Sequence, residues 1–476
     1  MSDAAALAAF VGAQRWSGAR GERLTDARVE AAIPVESTGA TCIVLGARVA
    51  GRHVRYQTWL HHHEGASLDA VVARGALADA THDAALHLGL VRLLADGSTR
   101  DGTGARLVAE PLAGASDELR ALSSSRVLSA EQSNTSIVYD DRVILKLFRR
   151  LEPGVQPDVE VTAFLTRRGF AHVPALLGTL SIDDASGAAV AAMAQRFVPG
   201  ARDAWAFAVD RARAAVAGDA PPREYADGEA RRLGAVTRAL HDALASDADD
   251  ADFAPRRAEA DTVARWAAAA SESVEQGVAL LRERLVAGAL DALPDASATA
   301  ARGVADAGVD AVVATVNRLA AKASHDAGAA TRHHGDYHLG QVLRAPDDGA
   351  LFVIDFEGEP SRALEVRRAR HCPLRDVAGM LRSFAYAGAT AALDRPDDAA
   401  AAERARTWEA VAREAFLDGY FGDGAAAFLP AERASADALL AMFELEKAFY
   451  ELAYELRNRP TWVPIPLAGI ARLAGA

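Results

Sequence analysis

Three residues in the second half of the chain have the types and spacing that phosphoryl transfer would need: Asp336, Gln341 and Asp355. They lie in His334-Gly335-Asp336-Tyr337-His338-Leu339-Gly340-Gln341 and in Asp355-Phe356-Glu357. A hydroxyl nucleophile needs a carboxylate to orient it and accept its proton, and a polyphosphate needs oxygen ligands around a hard cation. An Asp, an amide five positions on, and a second Asp after a short hairpin bring both functions to one rim. Asp336 is therefore the candidate base, and Gln341 with Asp355 the candidate Mg2+ ligands. A blander reading stands beside this one. His333, His334 and Asp336 could satisfy a turn, or the histidines could hold a transition metal in a hydrolase, although His338 has no evident partner elsewhere.

Protein kinases place a phosphate-covering hairpin, a strand lysine and a helix carboxylate ahead of such a loop. Here Ser133, Asn134, Thr135 and Ser136 stand where the covering loop belongs, offering hydroxyls and backbone N–H groups in place of glycines. Lys146 follows on the next strand and Glu160 early on the next helix, the expected ion pair on the ATP phosphates. Among 52 basic residues only Lys146, Lys322 and Lys447 are lysines. An ammonium is a compact point charge and a guanidinium a planar fork, so the retained lysines mark positions where the fork would not serve. The alternative is a surface lysine and a helix-start glutamate favoured by the helix dipole. Gln195 to Val198, between the β-rich and helical text, is the candidate adenine hinge on position alone. No Walker-A motif or well-placed dinucleotide fingerprint is present.

The last long helix carries a second constellation. Leu445, Phe449, Leu452 and Leu456 share an apolar face, while Lys447, Glu451, Tyr454 and Asn458 share the opposite one, before Pro460 and Trp462. Aromatic rings among charged hydrogen-bonding groups suit a sugar. The simpler alternative is a solvated face with an i,i+4 Lys447–Glu451 pair. His61-His62-His63 reads as a solvated loop, since three consecutive rings cannot converge on one ion.

The elements that must position these groups fall into two kinds. Up to Gly200 the text is β-rich, with Thr41–Leu45 and His53–Trp59 early, and Ser136–Tyr139 and Arg142–Phe148 flanking an Asp140-Asp141 hairpin turn. Pro157-Asp158 opens a helix. Beyond residue 200 the chain is helical and alanine-rich, interrupted by a hairpin of Gln341–Arg344 and Leu351–Ile354, with 292–310 its loosest stretch. The expected division is 1–90, a cap; 91–200, a nucleotide-binding N-lobe; and 201–476, a helical C-lobe. A net charge of −13 argues against nucleic acid and anionic membranes. Two cysteines, no long apolar run and no secretory-type start predict a soluble cytoplasmic protein without disulfides.

Several longer stretches resemble the actinobacterial maltokinases. They are Gln132–Ser136, Leu145–Arg150, His334–Gln341, Asp355–Pro360, Leu374–Phe384 and Tyr454–Trp462, with a weak match at Gln14-Arg15-Trp16. The resemblance implies a bilobal α+β protein-kinase-like fold with a cap, related to aminoglycoside phosphotransferases. It also implies ATP-dependent phosphorylation of maltose to maltose 1-phosphate for α-glucan synthesis, and trehalose synthase as a partner. Carried over by residue, Asp336 is the base, Gln341 and Asp355 bind Mg2+, and Glu357 is placed to assist metal or sugar. His338, Lys447, Tyr450 and Glu451 fall where the sugar site would be. A glucosamine kinase or aminoglycoside phosphotransferase on the same scaffold is the nearest alternative, and would need further carboxylates near Asp336. A non-catalytic pseudokinase would have lost the base or a metal ligand, and neither is lost here.

Overall fold

The computed structural model describes residues 3–19, 22–61, 79–128, 133–291, 293, 295–359, 362–395, 398 and 400–474. His62 and His63, Gln132 and Pro360 lie outside the described residues. The chain forms two compact units: residues 1–200 with 362–364, and 201–361 with 365–476.

The first unit is built on two antiparallel sheets. Strands Thr25–Val35, Ala40–Val49 and Arg52–His61 form one, with Arg150–Leu151 added at its edge. The other has seven strands, and Gly187–Arg196 and Val143–Phe148 run side by side in its interior. Burial alternates along the end of Thr25–Val35, whereas Ala40–Val49 and most of Arg52–His61 are buried on both faces. Ile33, Trp59, Leu90, Leu145, Leu180 and Ala192 belong to one core. The opposite face of the smaller sheet packs Leu45 and Tyr56 against Leu7, Val11 and Trp16. The Asp140-Asp141 turn is the expected hairpin. Both residues have φ near +50°, as a two-residue turn matching the strand twist requires, and Arg142 N–H donates to Tyr139 O at 2.8 Å. The Asp140 carboxylate is tied down by the backbone N–H groups of Ser123 and Ser124 at 2.9 and 2.8 Å.

The second unit is mainly helical. Long helices at Ala260–Val286, Asp295–Ala323, Leu374–Leu393, Ala401–Phe421 and Arg433–Asn458 pack on one another, and the unit also holds a small sheet. That sheet is the embedded hairpin Val342–Arg344 and Leu351–Val353, joined by Arg202–Asp203. The stretch expected to be loosest is helical from Asp295, with a break at Gly308, where φ is +78°. Arg282 Nε and one of its terminal nitrogens donate to Ala305 O, replacing helix hydrogen bonds the break removes. Among the described residues no helix is long and apolar enough to cross a membrane.

Candidate active site

The loop carrying Asp336 is held by a buried carboxylate that the sequence reading quoted but gave no role. Asp376, near the start of the Leu374–Leu393 helix, accepts from His334 N–H at 2.7 Å and Gly335 N–H at 3.0 Å. It also accepts from His241 Nε2 at 3.2 Å, and His241 Nδ1 meets Tyr420 Oη at 2.8 Å. Burial works to raise the Asp376 pKa; the His241 hydrogen bond and the neighbouring imidazoles outweigh it and hold the group well below the usual carboxylate range. His334 donates through Nε2 to Ile354 O at 2.9 Å, so its Nδ1 accepts from Asp336 N–H at 3.4 Å. Gly335 turns the loop with φ +85°, and a Cβ there would stand 3.3 Å from Gly358 Cα. The chain is thereby pinned on both sides of Asp336, whose side chain stays 28 % exposed.

Gln341 ends the short helical turn Leu339–Gln341, which His338 caps by accepting Gly340 N–H on Nδ1 at 3.0 Å. The hairpin then returns the chain so that Gln341 Nε2 donates to Asp355 Oδ2 at 3.2 Å. Asp355 adopts φ +67°, a left-handed conformation uncommon outside glycine that concentrates at functional sites. Its carboxylate lies within 4.8 Å of that of Glu357. With Gln341 donating through nitrogen, its Oε1 is left as an acceptor, so the local donor set is all oxygen. That set fits Mg2+, a hard cation.

A cleft of about 840 Å3 opens beside Asp336 along the Arg433–Asn458 helix. Lys447 Nζ stands 3.4 Å from Asp336 Oδ1. Tyr450 and Tyr454 are 41 % and 43 % exposed in the same cleft. At its other end Trp462 stacks on Tyr386, with centroids 6.0 Å apart and planes at 25°, and the Arg459 guanidinium lies 4.5 Å from the Trp462 ring centre. The predicted apolar face is buried: Leu445, Phe449, Leu452 and Leu456 are at most 3 % exposed.

The opposite face is not the solvated one that helical spacing suggested. Glu451 lines the cleft floor but is largely buried, accepting from Arg382 Nε at 2.8 Å. Burial opposes the Arg382 charge, and Glu451 with Glu444 more than offsets it, raising the guanidinium pKa. Glu455 likewise takes two hydrogen bonds from Arg459, at 2.7 and 2.9 Å, and one from Tyr386 Oη at 3.0 Å. The i,i+4 Lys447–Glu451 pair is thus replaced by Lys447–Asp336 and Arg382–Glu451. A charged residue on an otherwise buried helix face was the available signal for Arg382.

In the first unit, Lys146 lies on the Val143–Phe148 strand and donates to Asp158 Oδ2 at 3.2 Å. Asp158 is 2 % exposed, near the start of the Pro157–Arg167 helix; Glu160 sits one turn-half further on and is half-buried. Asp158, two residues ahead of the expected Glu160, is thus a further carboxylate at Lys146. Of the covering segment expected at 133–136, Asn134, Thr135 and Ser136 open the Asn134–Tyr139 strand. Ser136 is buried opposite Lys146, and Thr135 Oγ1 accepts from Arg149 Nε at 2.8 Å. Ser133 precedes the strand and is exposed. Gln195, at the start of the expected hinge, is a strand residue. It sits inside the Gly187–Arg196 strand, paired to Leu176 on one side and Ile144 on the other, so its backbone edges are occupied. Val198 lies past the strand, half-buried.

The chain is 31 % identical over 345 residues to a glucosamine kinase of Streptacidiphilus jiangxiensis, covering 72 % of this chain and 71 % of the relative. The chain belongs to the glucosamine kinase family. A glucosamine kinase of Mycolicibacterium smegmatis is 28 % identical over 353 residues, covering 73 % of this chain and 79 % of that one. A solved glucosamine kinase in complex with glucosamine, ADP and inorganic phosphate superposes with a TM-score of 0.68 at 24 % identity, over 98 % of both chains. That likeness gives the fold: bilobal, α+β and protein-kinase-like. No protein-family profile matches the chain. As a member of the glucosamine kinase family, the protein is a sugar kinase, a phosphotransferase working with ATP and a divalent metal, Mg2+.

Proposed function

We propose that this glucosamine kinase relative phosphorylates a neutral sugar, with maltose as acceptor, in the cleft beside Asp336. One observation carries the reading: the two cleft glutamates of the Arg433–Asn458 helix are already matched, Glu451 with Arg382 and Glu455 with Arg459. An ammonium sugar needs a carboxylate to spare, whereas neutral rings need aromatic faces and hydrogen-bonding edges. Tyr450 and Tyr454 offer faces near the reacting end, and Trp462 with Tyr386 offers a platform for a second ring. Asp336 orients the acceptor hydroxyl and takes its proton as that oxygen attacks phosphorus. Gln341 and Asp355, with Glu357 beside them, would hold Mg2+, which supplies charge neutralisation on the phosphates when bound. Lys146, kept in place by Asp158, grips phosphate oxygens, and the region around Ser133 and Val198 completes the nucleotide site. A cap to residue 90, a nucleotide-binding part to 200 and a helical C-lobe beyond go with this reading. With maltose as acceptor, trehalose synthase is the partner to test by co-purification.

Glucosamine is the second reading, and the names of the two relatives given above favour it. An ATP-coupled assay across maltose, glucosamine, trehalose and kanamycin separates the two. Maltose giving the highest kcat/KM supports the neutral acceptor. Glucosamine exceeding it would replace that reading.

A further inference from the structure

The helix running from Pro222 to Leu244 is interrupted by one wide turn, a π-turn at Ala226–Ala230. Such turns are rare inside α-helices and occur frequently at functional sites. This one carries Glu229, whose side chain is 15 % exposed. Glu229 Oε1 accepts from a terminal nitrogen of Arg232 at 2.7 Å and from Arg344 Nε at 3.1 Å. Among the described residues it is the one carboxylate paired with either guanidinium. Arg344 ends the first strand of the embedded hairpin, and its guanidinium lies 4.5 Å from the Phe207 ring centre. Arg232 reaches the hairpin turn itself, donating to Asp348 O at 3.4 Å. Gly349, in that turn, has φ +68°, and a Cβ there would stand 2.8 Å from an Arg344 nitrogen and 2.9 Å from an Arg232 nitrogen. The turn is thus closed down onto two guanidiniums, and Glu229 holds those like charges side by side.

The other end of the hairpin carries the candidate metal ligands. Val342 pairs with Val353 and Arg344 with Leu351, and Ile354 N–H donates to Gln341 O at 3.0 Å. Gln341 therefore leads into one strand and Asp355 follows the other, about 10 Å from the clamped end at the rise of an extended strand. We infer that Glu229 is a positioning residue for the Mg2+ ligands: it fixes the turn of the hairpin, and the ladder passes that placement to Gln341 and Asp355. This rests on those two residues as the metal ligands. Without the carboxylate, the two guanidiniums repel each other across the face of Gly349, and the hairpin turn is pushed off the helix.

ADP affinity, measured by isothermal titration calorimetry on the full chain in excess Mg2+ and again in EDTA, gives the Mg2+ enhancement of nucleotide binding. Glu229→Gln keeps the side-chain shape and removes the charge, and Arg344→Met removes the hairpin's side of the pair. Each should cut the enhancement roughly three- to thirtyfold, as coupling through a packed network does, while affinity in EDTA changes less than about twofold. The double variant Glu229→Gln/Arg344→Met should lose no more than the larger single loss, because both substitutions act on one link. Losses that multiply in the double variant would overturn the inference. So would an unchanged enhancement in both single variants, whatever their unfolding temperatures. Asp355→Ala, run alongside, separates the inference from its premise. If Asp355→Ala loses the enhancement and the clamp variants keep it, the inference alone fails. If Asp355→Ala keeps it, the metal assignment fails and the inference with it.

Discussion

Replacing Glu451 with Ala should cost stability before it costs sugar affinity. The side chain of Arg382 is 1 % exposed, and Glu451 is its charged partner at 2.8 Å. Its other contacts are weaker: Ile465 O at 3.4 Å and the Tyr386 ring at 5.9 Å. Truncating Glu451 leaves a guanidinium in the interior with no carboxylate among the described residues in hydrogen-bond contact. Breaking a buried pair by removing one member costs roughly 3–5 kcal/mol. In a domain near this size, 1 kcal/mol moves the unfolding midpoint by roughly 2–4 °C, so a fall of roughly 6–20 °C is expected. The double variant Arg382→Met/Glu451→Leu should recover most of it, because replacing both charges with apolar groups is often neutral. Thermal unfolding followed by circular dichroism, with urea titration alongside, measures all three proteins. A single variant that unfolds like wild type would refute the reasoning, as would a double variant as unstable as the single. If Glu451→Ala kept full stability but lost acceptor affinity, the direct sugar contact suggested by helical spacing would be restored.

Asp355→Ala should abolish Mg2+-dependent ATP binding as well as turnover, since a hard cation bridges carboxylate and phosphates; unchanged Mg-ATP affinity in calorimetry would place the metal ligands elsewhere. Lys146→Arg should be nearly as damaging as Lys146→Ala in kcat/KM, because the fork cannot replace the ammonium against buried Asp158. Full activity in the arginine variant would remove the argument from lysine scarcity. His333 is half-buried, its Nδ1 is enclosed with no hydrogen-bond partner among the described residues, and desolvation lowers its pKa from 6.5 to about 4. The unfolded chain therefore takes up this proton first as pH falls, so stability present above pH 6.5 is lost progressively toward pH 4, with a slope of up to about 1.4 kcal/mol per pH unit. His333→Phe should lack that component when urea unfolding at pH 7 and pH 5 is compared with wild type.

Patterns confined to a few neighbouring residues were legible in the sequence. The Asp140-Asp141 turn, the hairpin between Gln341 and Asp355, and the buried stripe through Leu445, Phe449, Leu452 and Leu456 follow from turn chemistry and from periods of two and 3.6. Choices between adjacent candidates were not. Asp158 and Glu160 both open the same helix, and the helix-start pattern does not show that Asp158 meets the Lys146 ammonium, which the fold does. Helical spacing put Lys447 and Glu451 together, but Arg382, far off in sequence, draws Glu451 inward and Asp336 meets Lys447. Asp376 was hidden for the same reason. Its partners His334, Gly335 and His241 are all distant in the chain, and an Asp beginning a helix is favoured there by the dipole alone.

The most direct test of a phosphotransferase built around Asp336 is turnover by Asp336→Asn, with the preferred sugar and Mg-ATP both saturating. The substitution keeps shape and an acceptor oxygen but removes the base. Turnover should fall about 100- to 10,000-fold, with Mg-ATP affinity largely unchanged by calorimetry. Turnover close to wild type would show that the acceptor proton goes elsewhere, and would contradict the assignment of Asp336 as the base.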